Sequence, residues 1–430
     1  MTTSVDTKAS KLPLELGGAL QRRIVIVLAT ATILGGLGVG ASASVGALLL
    51  AEVSGLDAVS GLAAAMSNAG AAAAGIPLAR MASKYGRRKA VVLGSFIAAF
   101  GAFVAIVGAV VWFWPVIALG LAILGVAAAV QFLSRFAATD LALPQNRARD
   151  LSLVVWSITV GAVVGPNLIA PGGIVGDMIG VHPYAGVFVF TIVAQLLAAL
   201  VNWFGLRPDP LLTARAIQAE EFRVAAAAAA ANNEEHVVVA EVSTPKMAKV
   251  LNIVMIAVAQ AVMVGLMAMT PLHIMHSGGT TAIVGITLSF HIAGMFALSP
   301  VWGILAGRLG RLPVIYMGWL MLLGAVVTAF IAGDNFVILQ VSLTLLGLGW
   351  SAASVAGSAL LTDLTNLSER TVWQGRSDTF MSAAGALGGI LAGVVFAMSD
   401  YSFLAVMGGI VLAVGVVSSL YKGLRVQKQQ

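Results

Sequence analysis

The chain has 430 residues, of which 59% are hydrophobic and only 10% are charged, and its mean hydropathy is +0.98. Because soluble domains contain about 45–50% apolar and about 25% charged residues, this composition excludes an ordinary soluble protein and indicates a polytopic membrane protein. The sequence contains no cysteine, which excludes a disulfide framework, a cysteine-ligated zinc site and thiol catalysis.

Apolar runs long enough to cross a bilayer recur along the whole chain. They predict an all-α membrane protein with twelve transmembrane helices, which we call spans 1 to 12, in two pseudo-symmetric six-helix halves. The organisation predicted is a first half at 1–206, a polar cytoplasmic linker at 207–249 and a second half at 250–430. The first 22 residues are polar, so no signal peptide is expected. Spans 1 to 6 are predicted at approximately 24–53, 58–79, 90–110, 115–137, 151–171 and 185–206, and spans 7 to 12 at 250–275, 282–305, 313–332, 336–361, 377–398 and 403–420.

The positive charges predict the orientation of these spans, because Lys and Arg near span ends mark the cytoplasmic side of a membrane protein. With the N-terminus inside, all 24 Lys and Arg residues fall on the cytoplasmic side. We therefore expect both termini in the cytoplasm and the protein in the cytoplasmic (plasma or inner) membrane. The net charge of +6 then reflects topology, so the expected surroundings are a lipid bilayer without nucleic acid, and we expect a monomer.

Two basic loops that contain glycine occupy equivalent places in the two halves. The loop after span 2 reads ARMASKYGRRK at 79–89, and the loop after span 8 reads GILAGRLGR at 303–311. Both resemble the loop signature Gly-x-Leu-Ala-Asp-Arg-x-Gly-Arg-Arg of the major facilitator superfamily, with Ser83 and Gly307 at the acidic position. The resemblance implies the fold of that superfamily, in which transporter repeats enclose the substrate site between them.

Charged residues at the inner ends of spans 4, 5, 10 and 11 repeat between the halves. In each half an acid closes one span, and an Arg and an Asp begin the next. We interpret them as gate residues that form ion pairs across the halves when the cytoplasmic mouth closes, the alternative being solvated loop charges. The predicted gate residues are Asp140, Arg149, Asp150, Asp363, Arg376 and Asp378.

Span 5 contains Gly161-x-x-x-Gly165-Pro166. This motif resembles part of the span 5 signature of drug/proton antiporters. It also fits close helix packing of the small-xxx-small kind, and we prefer that interpretation because the antiporter motif is incomplete.

Two pairs of soft ligands occur in spans 7 and 8. Met263 and Met267 are four residues apart, as are His291 and Met295, so each pair shares one helix face. The predicted depths of the two pairs overlap near the midplane, and His291 is the one ionisable residue at mid-depth in the predicted spans. Thioether and imidazole ligands without carboxylates favour a soft ion, above all Cu(I). Methionine also fills gaps in cores, and a buried histidine can be a hydrogen-bonded packing residue, so packing is the alternative.

At the outer end of span 7, His273, Met275 and His276 are candidates for collecting the same metal and passing it inward. In the linker, His236 beside Glu234 and Glu235 is either a metal ligand or part of a solvated charge cluster.

The arrangement of the two pairs resembles a known copper-transport signature. Met-x-x-x-Met is followed by His-x-x-x-Met, with His291 standing 28 positions after Met263, as in the CcoA-like copper importers of the major facilitator superfamily. The match includes the flanking segments MTPL at 269–272 and SFHIAGM at 289–295 and the QGRSD segment at 374–378. The resemblance implies that Met263, Met267, His291 and Met295 are copper ligands. The best-known members also carry membrane cysteines, which this sequence lacks.

The sequence therefore predicts a secondary transporter that imports copper by alternating access. Copper is the substrate, and neither a cofactor nor an enzymatic activity is expected. The main alternative is a proton-coupled exporter of small amphipathic organic compounds, which the Ala- and Gly-rich spans and the partial Gly-Pro motif favour. A third possibility is a membrane receptor or assembly factor on a transporter scaffold.

Overall fold

The apolar runs form helices in the computed structural model, which describes residues 12–56, 59, 62–231 and 244–427. Within these residues the predicted all-α architecture of two six-helix halves is confirmed. In the first half, span 1 is Leu12–Ser54, span 2 Leu62–Tyr85, span 3 Arg87–Val110, span 4 the pair Trp114–Leu124 and Val126–Ala137, span 5 the pair Arg147–Val164 and Ile169–Ile179, and span 6 Pro183–Gly205. In the second half, span 7 is Lys246–His276, span 8 the pair Thr281–Phe296 and Ser299–Arg308, span 9 Arg311–Ala332, span 10 Phe336–Asp363, span 11 Arg370–Met398 and span 12 Tyr401–Gln427.

Ten helical segments of the described chain are long and apolar enough to cross a membrane. Of the two predicted spans outside this set, span 5 is divided by the short 3-10 helix Gly165–Leu168, where Pro166 has no backbone N–H to continue the α-helix. Span 12 contains the apolar segment Tyr401–Gly415 within the helix Tyr401–Gln427.

Close backbone packing explains the glycine motif of span 5. A Cβ on Gly161 would lie 2.4 Å from the carbonyl carbon of Gly36 in span 1. Spans 1 and 5 can therefore approach this closely only with glycine at the crossing, which favours the packing interpretation of the Gly-Pro motif.

The linker contains the helix Pro210–Ala231, which docks against the predicted cytoplasmic loops. Arg215 Nη1 donates to the Ser83 carbonyl at 2.6 Å. Leu211 packs in a small apolar cluster with Leu367, from the loop between spans 10 and 11. The linker helix therefore contacts loops of both halves.

The two halves are in contact at the predicted cytoplasmic side. Between spans 2 and 11, Thr379 Oγ1 donates to the Ala72 carbonyl at 3.2 Å. Between spans 5 and 8, Ser299 Oγ donates to the Ser152 carbonyl at 3.1 Å, and a Cβ on Gly303 would lie 2.1 Å from Ser152 Oγ. The predicted cytoplasmic mouth is therefore closed in this conformation.

Candidate substrate site and gate

His291 is fully buried on span 8, in contact with span 10. Its Nδ1 lies 2.8 Å from the Leu343 carbonyl oxygen. Because a carbonyl can only accept a hydrogen bond, Nδ1 carries the proton and Nε2 bears the free lone pair. Nε2 is buried and has no hydrogen-bond partner among the described residues. A neutral imidazole held in this way has the tautomer and orientation that a metal-binding histidine requires.

Span 10 packs closely against the backbone of span 8. A Cβ on Gly347 would lie 2.3 Å from the His291 carbonyl oxygen and 3.0 Å from the Met295 nitrogen. Glycine at this position lets span 10 lie directly against the turn that carries both predicted ligands of span 8.

The methionines of the predicted site are placed in one apolar core. Met263 and Met295 are buried members of this core, and Met267 packs against its margin. Spans 7 and 8 are consecutive in the chain, but they touch each other only sparsely and both pack against span 10. Span 10 is therefore the element that relates the two ligand pairs to each other.

A polar contact fixes span 7 against span 10 close to these residues. Trp350 on span 10 donates from Nε1 to Oε1 of Gln260, which lies one helical turn before Met263. The Trp350 ring also contacts the ring of Phe296, beside Met295, edge-on at a centroid distance of 5.8 Å. Gln260 and Trp350 thus join spans 7, 8 and 10 around the candidate site, a role that their sequence positions did not predict.

The predicted outer capture residues contact different partners. The His273 ring stacks on Tyr401 at 4.5 Å, and its Nε2 lies 3.0 Å from the Gly333 carbonyl oxygen. The His276 ring stacks on Phe396 at 6.0 Å, and Met275 is exposed. In the described part of the chain, no three His, Asp or Glu side chains gather in a geometry suited to a metal.

The repeated acids at the ends of spans 4 and 10 bind arginines from the repeated loops. Gly86 and Gly310 have φ values of 92° and 95°, a region open to glycine, and the residue after each begins a helix. Arg87 then forms a two-pronged ion pair with Asp140, with Nε to Oδ2 at 2.8 Å and Nη2 to Oδ1 at 3.1 Å. Arg311 Nε equivalently donates to Asp363 Oδ2 at 2.9 Å.

Both acids also connect the two halves. Arg87 Nη2 donates to Gln374 Oε1 of span 11 at 2.6 Å, which links the buried Asp140 pair to the second half. Arg147 Nη1 of span 5 donates to Asp363 Oδ1 at 2.8 Å. Asp140 and Asp363 are therefore equivalent positions in the two halves, but the first pair is buried and the second is partly exposed.

The other predicted gate residues of the first half pair locally. Arg149 binds its neighbour Asp150, with Nη2 to Oδ1 at 2.9 Å. Asp150 also accepts from Gln21 Nε2 of span 1 at 2.8 Å. The cation of span 5 that reaches across the halves is therefore Arg147, not Arg149.

The helix of span 11 begins earlier than predicted, which changes the position of the predicted gate residues within it. Its helix begins at Arg370, not at residue 377, so Asp378 lies about two turns inside the helix. Asp378 Oδ1 accepts from Arg135 Nη2 of span 4 at 2.7 Å, and both side chains are buried. Arg376 instead lies over the Trp373 ring at 4.8 Å.

Sequence reasoning assigned Arg135 only to the set of inward positive charges. The signal that could have identified it is its context, because QFLSRFAA at 131–138 places the arginine among apolar residues, still within span 4. A charge at such a position requires a partner, which here is Asp378.

An ion pair also fixes the predicted cytoplasmic base of span 7. Lys249 Nζ binds the carboxylate of Glu369, which also accepts from Trp373 Nε1 at 2.9 Å. Partial burial acts to raise the pKa of Glu369, but the hydrogen bonds from Lys249 and Trp373 outweigh it and hold that pKa below its ordinary value. Span 7 is thus tied to the loop before span 11.

Two six-helix halves that meet around an apolar core and close on one side by ion pairs define a polytopic secondary transporter. The chain belongs to the Major Facilitator Superfamily, whose family model matches residues 28–290 and 251–429. It is 35% identical over 393 residues to the uncharacterized MFS-type transporter YdeG of Bacillus subtilis (strain 168), covering 91% of this chain and 90% of that protein. It is 26% identical over 380 residues to the riboflavin transporter RfnT of Brucella anthropi, covering 88% and 90% of the two chains.

Solved structures of this superfamily share the fold. The human organic anion transporter MFSD10 (TETRAN) matches with a TM-score of 0.72 at 14% identity, covering 92% of this chain and 98% of that one. The proton:xylose symporter XylE matches with a TM-score of 0.66 at 16% identity, covering 94% and 95%. At these identities the similarity concerns the fold alone.

Proposed function

We propose that this chain is a copper transporter that takes up Cu(I) across the cytoplasmic membrane by alternating access. The observation that carries the proposal is the His291 imidazole. Its Nδ1–H is bound by the Leu343 carbonyl, which leaves the buried Nε2 without a partner among the described residues. Leaving a buried acceptor unpaired is unfavourable, and a soft metal ion would satisfy it.

The methionines supply the remaining chemistry of the proposal. Met263 and Met295 are buried and Met267 is half-buried in the same core, so thioether sulfurs are the soft donors that this core offers. Thioether and imidazole suit Cu(I) better than Mg²⁺, Ca²⁺ or Mn²⁺, which prefer oxygen. We further propose a weak outer relay made of His273, Met275 and His276. Each of these side chains binds the metal separately, since the three do not form a preformed cluster.

The orientation and domain boundaries belong to the same proposal. We place both termini in the cytoplasm and divide the chain at 1–206, 207–249 and 250–430, with a monomer as the transporting unit. The distribution of all 24 Lys and Arg residues on one side of the predicted spans supports this orientation. The candidate metal ligand His236 lies outside the described residues.

His291→Ala is expected to lower the initial rate of Cu(I) uptake into proteoliposomes by at least roughly tenfold, because changes near a metal ligand already weaken metal binding by about 10–100-fold. The variant combining Met263→Leu, Met267→Leu, His291→Ala and Met295→Leu should also lose copper that co-purifies with the wild type. Met255→Leu is the matched control, since Met255 is a buried methionine of span 7 in the same core, and it should transport normally. Normal copper uptake by His291→Ala would overturn the proposal.

The second candidate function is transport of an organic compound, for example as a proton-coupled exporter. It is favoured by the 26% identity to a riboflavin transporter. The same proteoliposomes distinguish the two, because an organic-solute carrier would move riboflavin or an amphipathic dye with wild-type and His291→Ala protein alike. A receptor would move neither substrate.

A further inference from the structure

The ion pair between Arg135 and Asp378 combines three features that no other gate pair of the described chain combines. It joins span 4 to span 11, and thus one half directly to the other. Both of its side chains are buried, at 4% and 5% exposure. It is also held by a single carboxylate oxygen, Oδ1 of Asp378, whereas Asp140 uses both oxygens to bind Arg87.

We propose that Asp378 is a proton-binding site of the transport cycle, whose protonation releases the ion pair with Arg135 and unlocks the predicted cytoplasmic mouth. The proton binds a carboxylate oxygen and leaves a neutral carboxylic acid, and Arg135 keeps its charge. This inference rests on the chain being a secondary transporter and does not depend on copper as the substrate.

The surroundings of Arg135 support a state in which the pair is released. Its guanidinium lies over the rings of Phe132 and Phe136, at 4.8 and 5.0 Å from their centroids, and Nη1 donates to Ser354 Oγ at 3.2 Å. These contacts continue to stabilise the cation after Asp378 becomes neutral. Without these contacts, protonation of Asp378 would leave the charge of Arg135 buried and uncompensated.

The groups that face Asp378 are few. Span 4 contributes Arg135, and span 3 contributes Arg87, which reaches Gln374 one turn before Asp378 and is itself neutralised by Asp140. On span 11 itself, Arg370 lies two turns earlier. The facing sides of spans 2 and 10 present uncharged residues, namely Ala72, Gly75, Ala79 and Ser354. The other carboxylate of this set, Asp140, is bound through both oxygens by Arg87, so Asp378 is the acid that pairs with Arg135.

Spans 2, 4 and 11 are also arranged so that the ion pair between Arg135 and Asp378 controls opening of the predicted cytoplasmic mouth. Asp378 is adjacent to Thr379, which hydrogen-bonds to Ala72 of span 2. A Cβ on Gly375, one turn earlier, would lie 2.2 Å from Ala79 Cβ. Attraction between Arg135 and Asp378 therefore holds span 11 where it closes on span 2.

The test uses the natural absence of cysteine to follow opening without any substrate. Ser152→Cys is close to isosteric and introduces one thiol at the buried contact between spans 5 and 8, away from Asp378. Its labelling by a membrane-permeant maleimide is measured in proteoliposomes at acidic and neutral pH, normalised to the denatured protein at the same pH. We expect labelling to rise several-fold on acidification, and to be fast and independent of pH when Asp378→Asn is added.

Matched variants separate titration of Asp378 from a change in packing. Asp378→Glu keeps the charge and should keep the pH response, as should Asp177→Asn, which neutralises an exposed carboxylate at the predicted outer end of span 5. If Asp378→Asn does not fold, the combination Arg135→Gln with Asp378→Asn removes both charges and carries the same expectation. Labelling that ignores pH in the Ser152→Cys background, or a full pH response in the Asp378→Asn variant, would overturn the proposal. Because no copper is present, either result is separable from failure of the copper assignment.

Discussion

Asp140→Ala is expected to destabilise the protein by about 3–5 kcal/mol, because it leaves the guanidinium of Arg87 buried without its counter-charge. Arg87 and Asp140 are both fully buried at the side chain. In the variant, the partner that the structure still provides for Arg87 is the neutral oxygen of Gln374. Thermal unfolding in detergent, followed by intrinsic tryptophan fluorescence, measures the loss.

Two variants control for this prediction. The combination Arg87→Met with Asp140→Leu removes both charges at similar volume and should recover most of the stability. Asp363→Ala disrupts the equivalent pair of the second half, which is partly exposed, and should change stability by less than about 1 kcal/mol. Equal losses for Asp140→Ala and Asp363→Ala would show that the difference in burial between the two pairs has no energetic consequence.

These two pairs also show what the sequence could predict about the fold. Composition and span length are sufficient for the all-α architecture, since each apolar run must satisfy its own backbone hydrogen bonds in lipid. The repeated loops predict that the halves are equivalent, and Gly86 with Gly310 confirms that equivalence in the backbone. The partners of Asp140 and Asp363 were not predictable, because they lie 52 to 216 residues away in the chain and pairing depends on helix packing.

Helix boundaries limited the prediction of the gate. Hydropathy ends a span where polar residues begin, so span 11 was predicted to start at residue 377. The helix continues through the polar turns to Arg370 because Arg370, Gln374 and Asp378 find buried partners there. A charge that pairs across the halves therefore looks like a loop charge in the sequence, although it lies inside the protein.

The residues proposed for the substrate site follow from the sequence, whereas the framework that holds them does not. The four-residue spacing of Met263 with Met267 and of His291 with Met295 requires only helix geometry. The element that relates the two pairs, span 10, carries none of the predicted ligands. Its contributions are a backbone carbonyl at Leu343, a glycine at position 347 and the indole of Trp350, and none of these groups has a sequence pattern typical of a metal site.

The glycine of span 10 leads to the second large effect. Gly347→Ala is expected to reduce Cu(I) uptake by roughly tenfold or more, equivalent to at least about 1.4 kcal/mol at the site. The added Cβ would lie 2.3 Å from the His291 carbonyl oxygen, so spans 8 and 10 must separate. Both groups at the clash are backbone atoms, which cannot rotate away as a side chain can, and overpacking of this kind also costs about 1–3 kcal/mol of stability.

Gly285→Ala is the matched control for this prediction. Gly285 is also a helical glycine and lies on span 8 itself, but a Cβ there would meet no atom within 4 Å. Replacing it should leave uptake unchanged and, through helix propensity, stabilise span 8 by up to about 1 kcal/mol. Uptake and unfolding temperature measured side by side distinguish the outcomes. If Gly347→Ala transports as well as Gly285→Ala, the close contact with span 10 does not position His291, and the imidazole must be oriented by its hydrogen bond to Leu343 alone.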